Sequence, residues 1–251
     1  YKQNWLWFLQ GIKYRGFESV PMASSSLKIL SDPVNSPLII LLNRFTDETK
    51  FIVDIQSASD SGQSGLFTKE AFGSSAIFDI KRIRKFIVGP EDGSAPADLN
   101  AVIAQYGIVS GVVEPVTGGQ DLAKDYAVNV LNQRAIELPT ALQIIRGALY
   151  NVPEFQNLFI EPIKLTWSSI LYDASQYINL QWKVKVVDLF NKSLASSFPF
   201  EKNGSDSPIQ DFADFFRPET GTLWSFFDDE LTAFINKDRW KENQWEGQAA
   251  F

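Results

Sequence analysis

Residues 197–235 read SFPFEKNGSDSPIQDFADFFRPETGTLWSFFDDELTAFI, and they hold eight of the chain's 20 phenylalanines with acids set between them. Phe212, Phe215 and Phe216 stand at i, i+3 and i+4. Leu223, Phe227, Leu231 and Phe234 step by four, four and three. Each set makes one face of an α-helix, and Asp211, Asp214, Asp228 and Asp229 fall mainly off those faces. Ser207-Pro208-Ile209-Gln210 offers a helix start: serine to cap, proline for the first position, glutamine to reach back as in a capping box. Gly221 punctuates before the second helix. The stretch therefore predicts two short amphipathic helices joined by the RPETG turn and docked on longer helices. Each buried phenylalanine contributes about 1.5–3 kcal/mol.

Working outward, most of the chain carries the same period. Trp5, Phe8, Leu9 and Ile12 predict a helix over 2–14. Ser36-Pro37 opens LIILLNRF, with Ser36 as the cap. Residues 54–66, DIQSASDSGQSGL, read as a polar loop. AIFDIKRIRKFIVG puts Ile80, Ile83 and Ile87 on one face before Gly89-Pro90 stops it. GPEDGSAPA, 89–97, is a second loop, and 97–107 is helical. The β-branched run IVSGVVEPV allows a short strand near 108–116. Residues 120–134 and PTALQIIRGALY are helical again. The longest pattern runs from Pro153 to about Ala195. Trp167, Ile170, Leu171 and Ala174 form a core stripe there, with Tyr177, Trp182, Val184 and Val187 carrying it onward. Pro162 predicts a kink or break. The fold class is thus mainly α, multi-helix, with a short β element near 108–116. An N-terminal helical subdomain is expected over 1–118 and a C-terminal one over 119–251.

Composition removes whole classes of function. The 251 residues are 45% hydrophobic and 14% aromatic, which suits a packed core and not disorder. The net charge of −7 disfavours broad attraction to nucleic acid or anionic lipid. With no cysteine there is no disulfide, thiolate nucleophile or zinc–thiolate site, and with no histidine the usual general base and commonest metal ligand are missing. The longest clean apolar run, Leu38 to Leu42, is far short of the ~20 residues of a membrane helix. YKQNWLWFLQ carries no secretory signal. The chain opens inside a predicted helix, so it reads as a piece of something longer, with any anchor outside it.

The remaining candidates for chemistry each have a plainer reading beside them. Lys81, Arg82, Arg84 and Lys85 could be an anion or nucleic-acid patch; the preferred reading is the solvated face of a surface helix. GPEDG and TGGQD match no phosphate-binding loop. Asp228, Asp229 and Glu230, or Asp211 with Asp214, could serve a glycosidase or hold a divalent cation. Three successive helical residues project about 100° apart and cannot converge on one ion, so a solvated face is preferred. The serines have no histidine partner, and a serine–lysine dyad stays open. Trp167 and Trp224 read as core. Trp240 and Trp245, in KDRWKENQWEGQ, stay open between core and a stacking surface. No residue is assigned a catalytic, cofactor-binding or metal-binding role, and no cofactor is expected.

The order of motifs resembles one family. Phe198-Pro199-Phe200, then Ser205-Asp206, then DFADFF, a glycine-bearing turn and LWSFFDDELTAFI resemble the C-terminal region of the IcmF/TssM family of type VI secretion systems. LTWSSILYDASQYINLQW, 165–182, resembles the family's tryptophan helix followed by a second helix containing a QW pair. KILSDPVNSPLIILLNRFTDET resembles a family segment in which SPL opens a helix and a threonine follows the helix. The match is strongest from about 137 to 236 and poor over 54–120. Arg217-Pro218-Glu219-Thr220-Gly221 departs from the family's more frequent glycine–proline–glycine turn, which leaves that turn's backbone conformation open. The resemblance implies a non-enzymatic scaffold in the periplasm, part of an inner-membrane-anchored protein. It implies as partners further TssM-like copies, a TssL-like protein, and a TssJ-like lipoprotein bound through a β-rich region outside this chain. It implies no nucleic-acid partner and no membrane segment within these residues.

Two other readings stand beside the scaffold. One is a recognition module that uses exposed tryptophans on glycan or protein. The other is a cell-wall glycan hydrolase with paired carboxylates.

Overall fold

In the computed structural model the described backbone comprises residues 2–60, 74–90, 93–236 and the short segments 241–242, 244–245 and 248–249. Helices α1 (Lys2–Gly11), α2 (Val20–Leu30), α3 (Pro37–Asp60), α4 (Ser74–Val88), α5 (Ala97–Val113), α6 (Gln120–Leu131), α7 (Glu137–Ala148) and α8 (Gln156–Trp182) come first. A π-helical segment, Lys183–Val187, leads into α9 (Asp188–Ser193). Then come α10 (Ile209–Phe216), α11 (Thr222–Phe226) and a second π segment, Phe227–Leu231. The described β structure is four two-residue strands: β1 (Ile235–Asn236) pairs antiparallel with β2 (Lys241–Glu242), and β3 (Gln244–Trp245) with β4 (Gln248–Ala249). The mainly α fold expected from periodicity is what forms.

The chain divides into two units, one of residues 1–114 and 137–167, the other of 115–136 and 168–251. Helix α8 supplies its first turns to the one and its later turns to the other.

In the first unit α5 lies between α2 and α7. Val102, Tyr106, Val109 and Val113 have no exposed surface. Small residues let the backbones approach: Ser110 Oγ donates to the Ser24 carbonyl at 3.1 Å. A Cβ on Gly107 would sit 3.6 Å from that of Ser31. No strand forms at 108–116. That run is the end of α5 followed by a 3₁₀ turn, Glu114–Gly118. Burial of Val109 and Val113 outweighs the few tenths of a kcal/mol that β-branching costs a helix. Ala97–Gly118 is also long and apolar enough to cross a membrane by length and composition, although half of its apolar window is buried inside the protein. Its packing is that of a core helix.

Three local expectations change. Residues 54–60, expected in a loop, are the last turns of α3, while 61–66 lie outside the described residues. Ser36 caps α3 by its backbone, its carbonyl accepting from Ile40 N at 3.0 Å. Its buried hydroxyl makes no such bond. And α8 runs through Pro162 without a break. Proline leaves the carbonyl four residues back without its helical donor. That carbonyl, Leu158, accepts the Tyr14 hydroxyl at 2.8 Å, and its neighbour Phe159 accepts the buried Tyr106 hydroxyl at 2.7 Å. Two tyrosines thus hold the proline turn together. Burial, and the nearby Glu161 carboxylate, push the Tyr14 phenol well above its usual range; burial does the same to Tyr106.

In the second unit, Ala123, Ala127 and Val130 of α6 and Ile170, Leu171, Ala174 and Ile178 of α8 are buried. Two π segments then shift the pattern. A π turn takes an extra residue, so the apolar face is displaced relative to an unbroken α-helix. Val186 is buried where Val184 was expected, and Val184 is exposed. Through α11 and the π segment the buried set is Phe226, Phe227, Glu230 and Phe234, while Leu223 and Leu231 are only half-buried. The start of α10 is also simpler than a capping box. Pro208 precedes its first turn, Ser207 Oγ bonds the Phe198 carbonyl at 2.9 Å, and Gln210 reaches forward to Asp214 at 2.7 Å.

Candidate functional site

The acidic run is not a uniform solvated face. Asp228 and Asp229 are exposed, but the Glu230 side chain is only 5% exposed. The π turn from Phe227 rotates it inward. Lys124 Nζ of α6 lies 3.0 Å from its Oε2, and Lys185 Nζ, in the first π segment, lies 2.8 Å from its Oε1. Burial works against the Glu230 charge, yet hydrogen bonds from Lys185 and Lys124 outweigh it and hold the carboxyl below its ordinary range. The Glu230 contact in turn raises the Lys185 ammonium. A carboxylate kept ionised between two ammonium groups is a poor proton donor. It ties both π segments to α6. Glu230 stands four residues after Phe226 and four before Phe234, and the π segment between them turns all three to the buried side.

The other acids do not join it. Asp214 accepts from Gln210, and Asp211 is half-exposed. Among the described residues no three His, Cys, Asp or Glu side chains are grouped as a metal site would require.

The KRIRK segment is divided between two uses. Lys81 and Lys85 are exposed, as expected of a solvated face. Arg82 turns inward to Glu154 at 2.5 Å and Asp79 at 3.2 Å, and donates to the Asn151 carbonyl. Burial disfavours its charge, but Glu154 and then Asp79 outweigh it and raise its pKa further. Arg84 donates to the Thr46 carbonyl on α3. Both arginines are internal ties, which period-based reasoning missed because it assigns faces and not the reach of a long side chain.

Trp167 is fully buried and Trp224 half-buried. Trp182 is partly exposed and meets Phe226 edge-on at 5.3 Å. Trp240, and the side chain of Trp245, lie outside the described residues. A groove of about 170 Å³ lined by Tyr14, Phe17, Ser26, Ile29 and Leu30 is below the ~300 Å³ of ordinary ligand pockets. Its one phenol is already committed to Leu158.

The phenylalanines form a layered cluster. Phe190 contacts Phe200 at 4.9 Å and Phe215 at 5.6 Å. Phe200 stacks on Phe212 and Phe216 at 6.3 and 5.9 Å. Phe215 is buried, Phe216 half-buried, and Phe200 and Phe212 are about two-fifths exposed. The cluster is core on one side and surface on the other.

The second unit's aromatic and π-helical elements are also where the chain matches a known family. Residues 173–250 match the type VI secretion protein IcmF helical domain. Over this stretch the chain is similar to that domain. The resemblance in the order of the Phe198-Pro199-Phe200, DFADFF and LWSFF motifs is thereby supported by an independent match. Two solved chains share the fold of this chain. One, "Type VI secretion system membrane core complex", has a TM-score of 0.63 at 19% identity over 98% of this chain and 49% of its own. The other, "Type VI membrane complex", has a TM-score of 0.60 at 18% identity over 93% and 44%. The chain thus spans about half the length of the solved chains it matches. No curated protein matches the sequence.

Proposed function

We propose that this chain is an IcmF-type, non-enzymatic structural module of a type VI secretion membrane complex, in the periplasm as part of an inner-membrane-anchored protein. It works there beside further copies of the same protein and other subunits of the complex. The observation that carries the reading is the family match over 173–250, which takes in α10, α11 and both π segments. The shared fold with chains of type VI membrane complexes supports it. The chemistry of Glu230 is consistent with it, since a buried acid used as a strut has no free proton to transfer.

The test is an in-frame deletion of residues 173–235 in the full-length protein. The truncated protein should still be made and still reach the membrane, while complex assembly and effector export are lost. Unimpaired export would end the scaffold reading. Asp228→Asn with Asp229→Asn should leave export unchanged. Loss of export with the fold intact would instead support carboxylate chemistry.

A further inference from the structure

One face of the phenylalanine cluster is exposed among the described residues. Ile209, Phe212 and Phe216 fall at i, i+3 and i+7 of α10, and Phe200 stacks against the last two. Ile209 is 88% exposed, and Phe200 and Phe212 are 41% and 40% exposed. Exposed aromatic surface of this kind, rimmed by polar groups, is the composition of an interface. The segment 197–221 that carries it is acidic: Glu201, Asp206, Asp211, Asp214 and Glu219 outnumber Lys202 and Arg217.

The chain carries a second bare aromatic face of opposite charge. Helix α1 rests on Leu9, which is buried, and on Trp5, whose ring meets Phe45 edge-on at 5.4 Å. That leaves Trp7 and Phe8 outward, 69% and 54% exposed. Lys2, Lys13 and Arg15 are the charged residues of the segment 1–15, which contains no acid. Arg15 also reaches Glu18 at 3.4 Å, but both side chains are largely in water and the pair is weak.

We propose that the phenylalanine patch of one copy, in its acidic segment, receives the aromatic face of α1 and the basic residues that follow that helix from a second copy. This deepens the scaffold reading and rests on it. The two patches differ, so the contact is heterologous and repeats from copy to copy, closing a ring or extending a filament. Trp7 and Phe8 would cover Phe212 and Ile209, and Lys13 and Arg15 would face the acidic segment.

The experiment is sedimentation of the purified 251-residue chain over a concentration series. Mass should rise with concentration at about 10 mM ionic strength and fall back at about 1 M, where the screening length drops from about 30 to about 3 Å. Phe212→Asp and Trp7→Asp each alter an exposed residue, so each should keep the wild-type circular dichroism and weaken self-association at least about tenfold. Mixed one to one, they should form a dimer, because the first keeps its α1 face and the second its patch. A wild-type chain that stays monomeric, association unaffected by either substitution, or a mixture that does not pair would each overturn the proposal. If the deletion of 173–235 abolishes export while the wild-type chain is monomeric, this contact is wrong and the scaffold reading stands.

Discussion

Three single residues show how local chemistry is settled here. Pro162 removes a donor from Leu158, and Tyr14 supplies another. Tyr14→Phe should therefore cost about 1–3 kcal/mol in denaturant unfolding, because a carbonyl loses its partner. Introduced together with Pro162→Ala, which restores the helical N–H, the same change should cost clearly less. Equal costs in both backgrounds would show that the tyrosine does not serve the proline's carbonyl. The RPETG turn gives a second case. Glu219 has φ of 69°, a left-handed conformation that costs a side-chain-bearing residue about 1–2 kcal/mol. The turn holds this backbone with a glutamate in it. Glu219→Gly should leave the melting temperature unchanged or raised, and Glu219→Val should lower it. The third is Gly221. A Cβ there would lie 2.7 Å from both the Arg217 nitrogen and its carbonyl oxygen, so glycine is required by close approach.

At the scale of elements, the π segments decide which residues are core. Phe227 and Phe234 are buried on the face that follows the π turn, and Phe216 is only half-buried. Phe227→Ala and Phe234→Ala should each cost about 3–5 kcal/mol, and Phe216→Ala less, measured as shifts in the unfolding midpoint. An equal cost for Phe216 would place its ring in the core after all. The Glu230 strut makes a prediction about pH. Its folded-state pKa lies below its ordinary value of 4.5. A depressed carboxyl gives stability that is complete above the unfolded value and is lost as pH falls through the folded one. Melting temperature should therefore drop as pH is lowered below about 4.5, and Glu230→Gln should flatten that decline. At neutral pH the substitution should cost about 2–3 kcal/mol, less than a fully buried pair because Lys185 remains half in water. A melting temperature with the same acid limb in both proteins would remove Glu230 from the account.

At the scale of the whole molecule, the question is where the most apolar helix belongs. Composition permits α5 and its 3₁₀ extension to cross a membrane, whereas packing gives it α2 and α7 as neighbours. A helix whose apolar surface is already covered gains little from lipid. The chain should stay in the aqueous phase on detergent phase separation, and Val109→Asp, which buries an unpaired charge, should unfold it. Partition of the folded wild type into the detergent phase would make this helix a span. The same scale exposes the two bare aromatic faces, since only the complete packing shows which phenylalanines are left over.

The sequence by itself determined the helical period, the stripe from Trp167 to Ala174, the short helices of the opening stretch and their family likeness. These are local signals, carried by residues within two turns of one another. The tertiary structure alone decided that 108–116 is helix, that α8 survives Pro162, that Arg82 and Arg84 point inward and that Glu230 is buried. Each of these depends on a partner far along the chain: α2 and α7 for the valines, Tyr14 for Leu158, Glu154 and Thr46 for the arginines, Lys124 for the glutamate. Periodicity states which face of a helix is apolar. It does not state which distant group will satisfy a freed carbonyl or neutralise a buried charge, and those two demands set the differences between the expected and the observed structure.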